Sequence, residues 1–297
     1  MNNWADQEFQ EELTQNFNGQ TSSKERRMTG ARMSTLATLR GSIARIESQE
    51  ATIADRVMLG HGGADAALGG GLARGAVHEI FAEGRQSAAA TGFVAGLVRR
   101  LGARRPLLWV RQDFAELESG ALSMSGFSEL GLDPRLVVTV RAPDVEAALR
   151  TAADALACDA LGAVVMEIWG ETHRLDLVAS RKLTLAARMS GVTGMLLRPA
   201  AVPSPSSAET RWIVRAAHSP PDTVWPNRAS RAWGSPVFDT QLVRNRHGPT
   251  GQWIMEWNAD ECLFREAAAH PQPVAATAAN RPHQAPASAQ HRRAGSR

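Results

Sequence analysis

The sequence has no tyrosine, only two cysteines and no apolar run approaching the ~20 residues that cross a bilayer. A chain without such a run is expected to be soluble. Cys158 and Cys262 lie far apart and neither has a neighbour at metal-ligand spacing, which excludes a disulfide framework and a zinc knuckle. Both are expected as reduced core residues. Met1 to Gln20 is acidic and amide-rich without an apolar centre, so it is no secretory signal and the expected compartment is the cytoplasm. Signatures of hydrolytic chemistry are missing too. His61, His78, His173, His218 and His247 show no HxxxH pairing, no serine sits in GxSxG, and no two carboxylates stand at a spacing that demands acid–base work.

What is present suits a globular α/β protein. Hydrophobic residues make up 43% and charged residues 21%, enough for a core, and the net charge is +3. From residue 76, short apolar runs rich in branched side chains (76–81, 106–110, 136–140, 161–168 and 191–197) alternate with helical patterns near 87–101, 144–157 and 175–189. Strand and helix in turn, with strands apolar on both faces, predict a mainly parallel sheet flanked by helices. Asp144 reads as a helix N-cap. Three further strands, 212–216, 238–245 and 252–257, read as antiparallel, the last two joined by a hairpin over Arg246-His-Gly-Pro-Thr-Gly251.

Around this core the expected organisation is a disordered leader over 1–33, an N-terminal helix over 34–52 carrying Leu36, Leu39, Ile43 and Ile46, the α/β domain over 53–266, and a disordered basic tail over 267–297. Met28 and Met33 are further candidate starts. A Pro/Ser-rich loop over 219–236 holds Trp225 and Trp233, the two tryptophans best placed to anchor an interface, whereas Trp109, Trp212, Trp253 and Trp257 sit in strand-like runs and are expected in the core.

The stretch Leu68-Gly-Gly-Gly-Leu-Ala-Arg-Gly75 followed by Ala76-Val-His-Glu-Ile-Phe81 resembles the lead-in to the phosphate loop of RecA-type ATPases. A GxxxxGK[ST] loop should follow, whose amides and lysine neutralise phosphates while a hydroxyl holds magnesium. In that register Ala82 replaces the first glycine, Ser87 the second, Ala88 the lysine and Ala89 the hydroxyl. Glu83 adds a carboxylate beside the phosphate position, where it would repel them. Arg85 is only a partial substitute for the lysine. Leu161-Gly-Ala-Val-Val-Met-Glu167 looks like a Walker B strand, a weak signal because any buried strand ending in an acid fits it.

Leu242-Val-Arg-Asn-Arg-His-Gly-Pro-Thr-Gly251 resembles the basic hairpin of RecA relatives, and Asp176-Leu-Val-Ala-Ser-Arg-Lys-Leu-Thr-Leu-Ala-Ala-Arg188 with Gly191 to Arg198 adds a further specific stretch. Together, from about Leu36 to Trp257, the chain resembles the ImuA family, RecA-like proteins related to the division inhibitor SulA, some with degenerate phosphate loops. The resemblance implies a RecA-like P-loop-type fold, no cofactor and no catalysis. It also implies a scaffold role in SOS-induced error-prone translesion synthesis beside an ImuB-like pseudo-polymerase and an error-prone C-family polymerase, near the nucleoid when active. RecA and DNA are further contacts it leaves open. A SulA-type division inhibitor and a RecA-like ATPase acting on recombinase filaments are the alternatives. Candidate contact residues are Arg174, Arg181 and Lys182 on the basic helix, Trp225 and Trp233 in the loop, and Arg244, Asn245 and Arg246 in the hairpin. The same basic helix fits a merely solvated face, and its Leu177, Leu183 and Leu185 are expected to pack on the sheet.

Overall fold

The structure, a computed structural model, describes residues 55–83, 86–102, 104–219 and 234–267. The leader, the helix over 34–52, Trp225, Trp233 and all but the first residue of the tail lie outside the described residues. In chain order the elements are strand β1 (Arg56–Val57), helix α1 (Gly62–Ala67), β2 (Leu72–Ala73), β3 (Val77–Ala82), α2 (Ser87–Gly102), β4 (Leu107–Gln112), α3 (Asp113–Ser119), α4 (Met124–Glu129), β5 (Val137–Ala142), α5 (Val145–Leu156), β6 (Ala163–Glu167), α6 (Leu177–Ser190), β7 (Thr193–Arg198), β8 (Thr210–Ala216), β9 (Val237–Asn245), β10 (Gly251–Asn258) and β11 (Leu263–Glu266).

One sheet of nine strands runs β11-β10-β9-β8-β3-β7-β6-β4-β5. From β8 to β5 neighbours are parallel. From β8 to β11 they are antiparallel. The six-strand parallel part therefore has one carboxyl edge, where Ala82, Gln112, Glu167, Arg198 and Ala216 end their strands. Helices cover both faces, as expected of strands without a solvent side. Against one face packs α2, with Phe93 at its centre touching the rings of Trp212, Phe238 and Phe264 at centroid distances of 5.8, 5.8 and 5.1 Å. Against the other pack α5 and α6.

The helix boundaries follow from their caps. Asp144 Oδ1 accepts the Ala147 N–H at 2.8 Å and starts α5, and Asp176 Oδ1 accepts the Ala179 N–H at 2.8 Å and starts α6, which stops at Gly191 in a left-handed conformation. Ala148, Ala152 and Ala155 line the buried side of α5, so it can lie close on the sheet.

Before β3 the glycine turn folds the chain back as a small ribbon of β1 against β2. Gly71 has φ +125°, and a Cβ there would fall 2.3 Å from the Val57 carbonyl oxygen. From β3, His78 fastens the ribbon to the sheet. Its Nε2–H donates to the Ala73 carbonyl at 2.9 Å, its Nδ1 accepts from the Thr210 hydroxyl at 2.8 Å, and Trp212 Nε1–H donates to the same oxygen at 3.0 Å. Burial lowers the imidazole pKa from 6.5 to about 4, so this chain of bonds holds a neutral ring.

Four expectations need correction. The strand at 212–216 is not simply antiparallel: β8 pairs parallel with β3 and antiparallel with β9, because alternation along a strand does not say which neighbour it takes. Leu185 and Leu177 of α6 are exposed, and the side against the sheet is Ser180, Leu183 and Ala187. Cys158 is exposed and Cys262 half-buried, so neither is a fully buried core residue. Trp109, Trp212 and Trp257 are buried as expected, but Trp253 is half-buried at the margin of the core.

Candidate functional site

In an open parallel sheet, ligands bind where strands end and connections diverge. Here β3 sends its chain through α2 toward β4, while the adjacent β7 leads the other way to β8. The turn between β3 and α2 therefore stands at the carboxyl edge, at a change of direction. Ala82 is the last residue of β3, and Ser87, Ala88 and Ala89 are already the first turn of α2. Ser87, Ala88 and Ala89, which the sequence comparison set against the second glycine, lysine and hydroxyl of a phosphate loop, lie in the first turn of the helix.

The described ends of this turn are tied to β8. Glu83 forms an ion pair with Arg215, which also reaches Asp239 at 3.5 Å. Gln86 Oε1 accepts the Ala216 N–H at 2.5 Å. Glu83 thus has a cation of its own.

Glu167, the Walker B-like acid, ends β6 and is 1% exposed. Arg111 Nε donates to its Oε2 at 2.7 Å, Arg111 Nη2 to its Oε1 at 3.1 Å, and Trp109 Nε1–H to Oε2 at 3.1 Å. Arg111 is held in turn by the Gly120 carbonyl at 2.9 Å and the Ser119 hydroxyl at 3.0 Å. The charge of Glu167 is thus neutralised by an adjacent strand in a bidentate, buried pair. Breaking such a pair from one side typically costs about 3–5 kcal/mol, since it strands the other charge. A cleft of about 330 Å³ lies alongside, walled by Ser87, Ala88, Thr91, Arg111 and Ser123. Among the described residues no group of three or more His, Cys, Asp or Glu is arranged to hold a metal ion.

On the other face of β3, Glu79 pairs with Arg211 at 2.7 Å. Arg211 and Arg198 both lie over the Phe81 ring, 5.6 and 5.8 Å from its centre. Arg198 is buried, donates to the Gly170 carbonyl at 2.8 Å and leaves its Nε without a partner. Burial accordingly pulls its pKa down from the usual guanidinium value.

The remaining candidates do not gather at this edge. Arg244 Nη1 donates to the Ser206 carbonyl at 2.7 Å, and Asn245 Nδ2 to the Ala67 and Pro249 carbonyls at 2.9 and 3.1 Å. These two hold loops in place, at the amino edge of the sheet where Asn245 pairs with Thr210. Arg246 is exposed beside them. Arg181 and Lys182 are exposed along α6, and Arg174 is exposed in the loop before it. The Arg99 and Arg100 side chains at the end of α2 donate to the Gly131 and Met58 carbonyls. Sequence reading singled out Glu167 but not Arg111, Arg215 or Arg198. The available signal was a charge near the end of each of three apolar strands, whose partners become apparent only once the strand order is known.

The fold and this edge define an α/β protein with a large, mainly parallel nine-stranded sheet whose carboxyl-edge acids are paired with the protein's own arginines. No protein-family model matches the chain, and no curated protein matches it. Among the described residues no helix is long and apolar enough to cross a membrane.

Proposed function

We propose that this chain is a RecA-like protein of the ImuA kind, a scaffold that serves error-prone translesion synthesis after DNA damage without turning over nucleotide. The observation that carries the reading is the turn from β3 to α2: the glycine-rich lead-in is present, while Ala88 and Ala89 stand where lysine and hydroxyl would be. Two features support it further. Glu167 is matched by Arg111 and Glu83 by Arg215, so the acids at this edge are engaged within the protein. In this reading the chain offers surfaces to an ImuB-like pseudo-polymerase and, through it, to an error-prone C-family polymerase, with RecA and DNA as further contacts. It works in the cytoplasm, near the nucleoid.

The test is genetic. A strain lacking the gene is irradiated with ultraviolet light, and induced mutation is scored beside cell length. The proposal expects induced mutation to fall toward the spontaneous level while cells still filament. Unchanged mutation with lost filamentation would replace it with a division inhibitor of the SulA kind.

A further inference from the structure

Helix α6 has two unlike faces. Ser180, Leu183 and Ala187 are buried against the sheet, whereas Val178, Leu185 and Met189 are 56%, 60% and 81% exposed. At 3.6 residues per turn these three fall within about 40° of one another around the axis, forming an apolar stripe along the helix. Arg181 and Arg188 border it on one side and Lys182 on the other. All three cations are exposed, and none has an ion-pair partner among the described residues. Beside the stripe a cleft of about 520 Å³ opens between Leu185, Met189 and Ala157 at the end of α5. Apolar side chains do nothing to hold phosphates, so a stripe of them between cations fits an acidic amphipathic peptide better than a nucleic acid.

A segment of that chemistry belongs to the chain itself. Phe9, Leu13 and Phe17 recur every four residues, Asp6, Glu8, Glu11 and Glu12 stand among them, and no lysine or arginine precedes Lys24. The chain also enters the described fold in the right place. Asp55, the first described residue, lines a cleft together with Arg188 and Gly191 at the end of α6. A helix over 34–52 spans about 28 Å and a flexible stretch over 18–33 about 22 Å, each at least the ~20 Å length of a helix such as α6.

We propose that residues 4–17 dock on the exposed face of α6 within the same molecule, Phe9, Leu13 and Phe17 covering Val178, Leu185 and Met189 while the carboxylates meet Arg181, Lys182 and Arg188. The docked leader takes from water an apolar stripe that is otherwise open, and a partner that uses α6 has to displace it. Docking does not depend on the function proposed above, only on the two complementary surfaces.

Cys158 supplies a native probe, since it is exposed between Ala157 and Asp159, both of which line the cleft. Cys262 packs against the core on the opposite face of the sheet and serves as the control. The full-length Gln10→Cys protein is oxidised gently at low concentration, and its disulfides are mapped by peptide mass spectrometry. The introduced thiol is expected to join Cys158 within one chain roughly tenfold more often than Cys262, the effect of a raised local concentration. Adding Glu8→Lys, Glu11→Lys and Glu12→Lys should remove that preference, and adding Arg181→Glu with Lys182→Glu to those changes should restore it. Equal pairing with both cysteines, indifference to charge reversal, or disulfides that form only between chains would each overturn the proposal.

Discussion

His78 shows how a single polar residue is made tolerable in a sheet interior. Its ring is fully buried, and both nitrogens have partners that suit the neutral form, one carbonyl to receive the Nε2 proton and one hydroxyl able to give a proton to Nδ1. Above about pH 7 the imidazole is neutral in the folded and unfolded chain alike and has no effect on the balance. Below 6.5 the unfolded chain gains a proton that the folded one refuses until about pH 4, so stability is lost as the pH falls through that window. The loss over the window is on the order of 3 kcal/mol. Urea unfolding of the native protein and of His78→Gln at pH 7 and pH 4 checks it: the native protein should lose more stability than the variant, by about that amount. Parallel losses would mean that the ring is protonated inside the fold. None of this was readable in the sequence, where His78 is one of several lone histidines, because its partners Ala73 and Thr210 meet it only through the ribbon and the β3–β8 pairing.

Among the elements, long ones were legible and short ones were not. The five parallel strands from β3 to β7 and helices α2, α5 and α6 fall where apolar runs and caps placed them, because each spans enough residues for its period to register and Asp144 marks a start directly. Helices α1, α3 and α4, of six or seven residues, are too short to show a period, and β11 has only four. The glycine turn was legible as a motif, but its reason is steric and appears only in three dimensions. Gly69 and Gly71 both have positive φ, yet a Cβ at Gly69 meets open space while one at Gly71 strikes the Val57 backbone. Gly69→Ala should therefore cost about 1 kcal/mol for its left-handed backbone, and Gly71→Ala distinctly more. Chemical denaturation of the two variants decides it, and equal losses would show that the β1–β2 ribbon yields to the added methyl.

At the scale of the whole molecule, the mixed sheet depends on β8, which ends the parallel part and begins the antiparallel one. At the carboxyl edge the parallel β4–β6 pairing brings Arg111 to Glu167, and the β3–β8 pairing brings Arg215 to Glu83. That residues 82–89 lack the glycines, lysine and hydroxyl of a phosphate loop was legible in Ala82, Ser87, Ala88 and Ala89. The internal ion pairs at this edge were not, since each joins residues far apart in sequence. The account predicts that this edge does not hold a nucleotide. The direct measurement is isothermal titration of the full-length protein with ATP and magnesium. No saturable binding up to millimolar ATP is the predicted result. Saturable, magnesium-dependent binding tighter than about 1 mM, about 4 kcal/mol of binding free energy, would contradict it and return the chain to the ATPases.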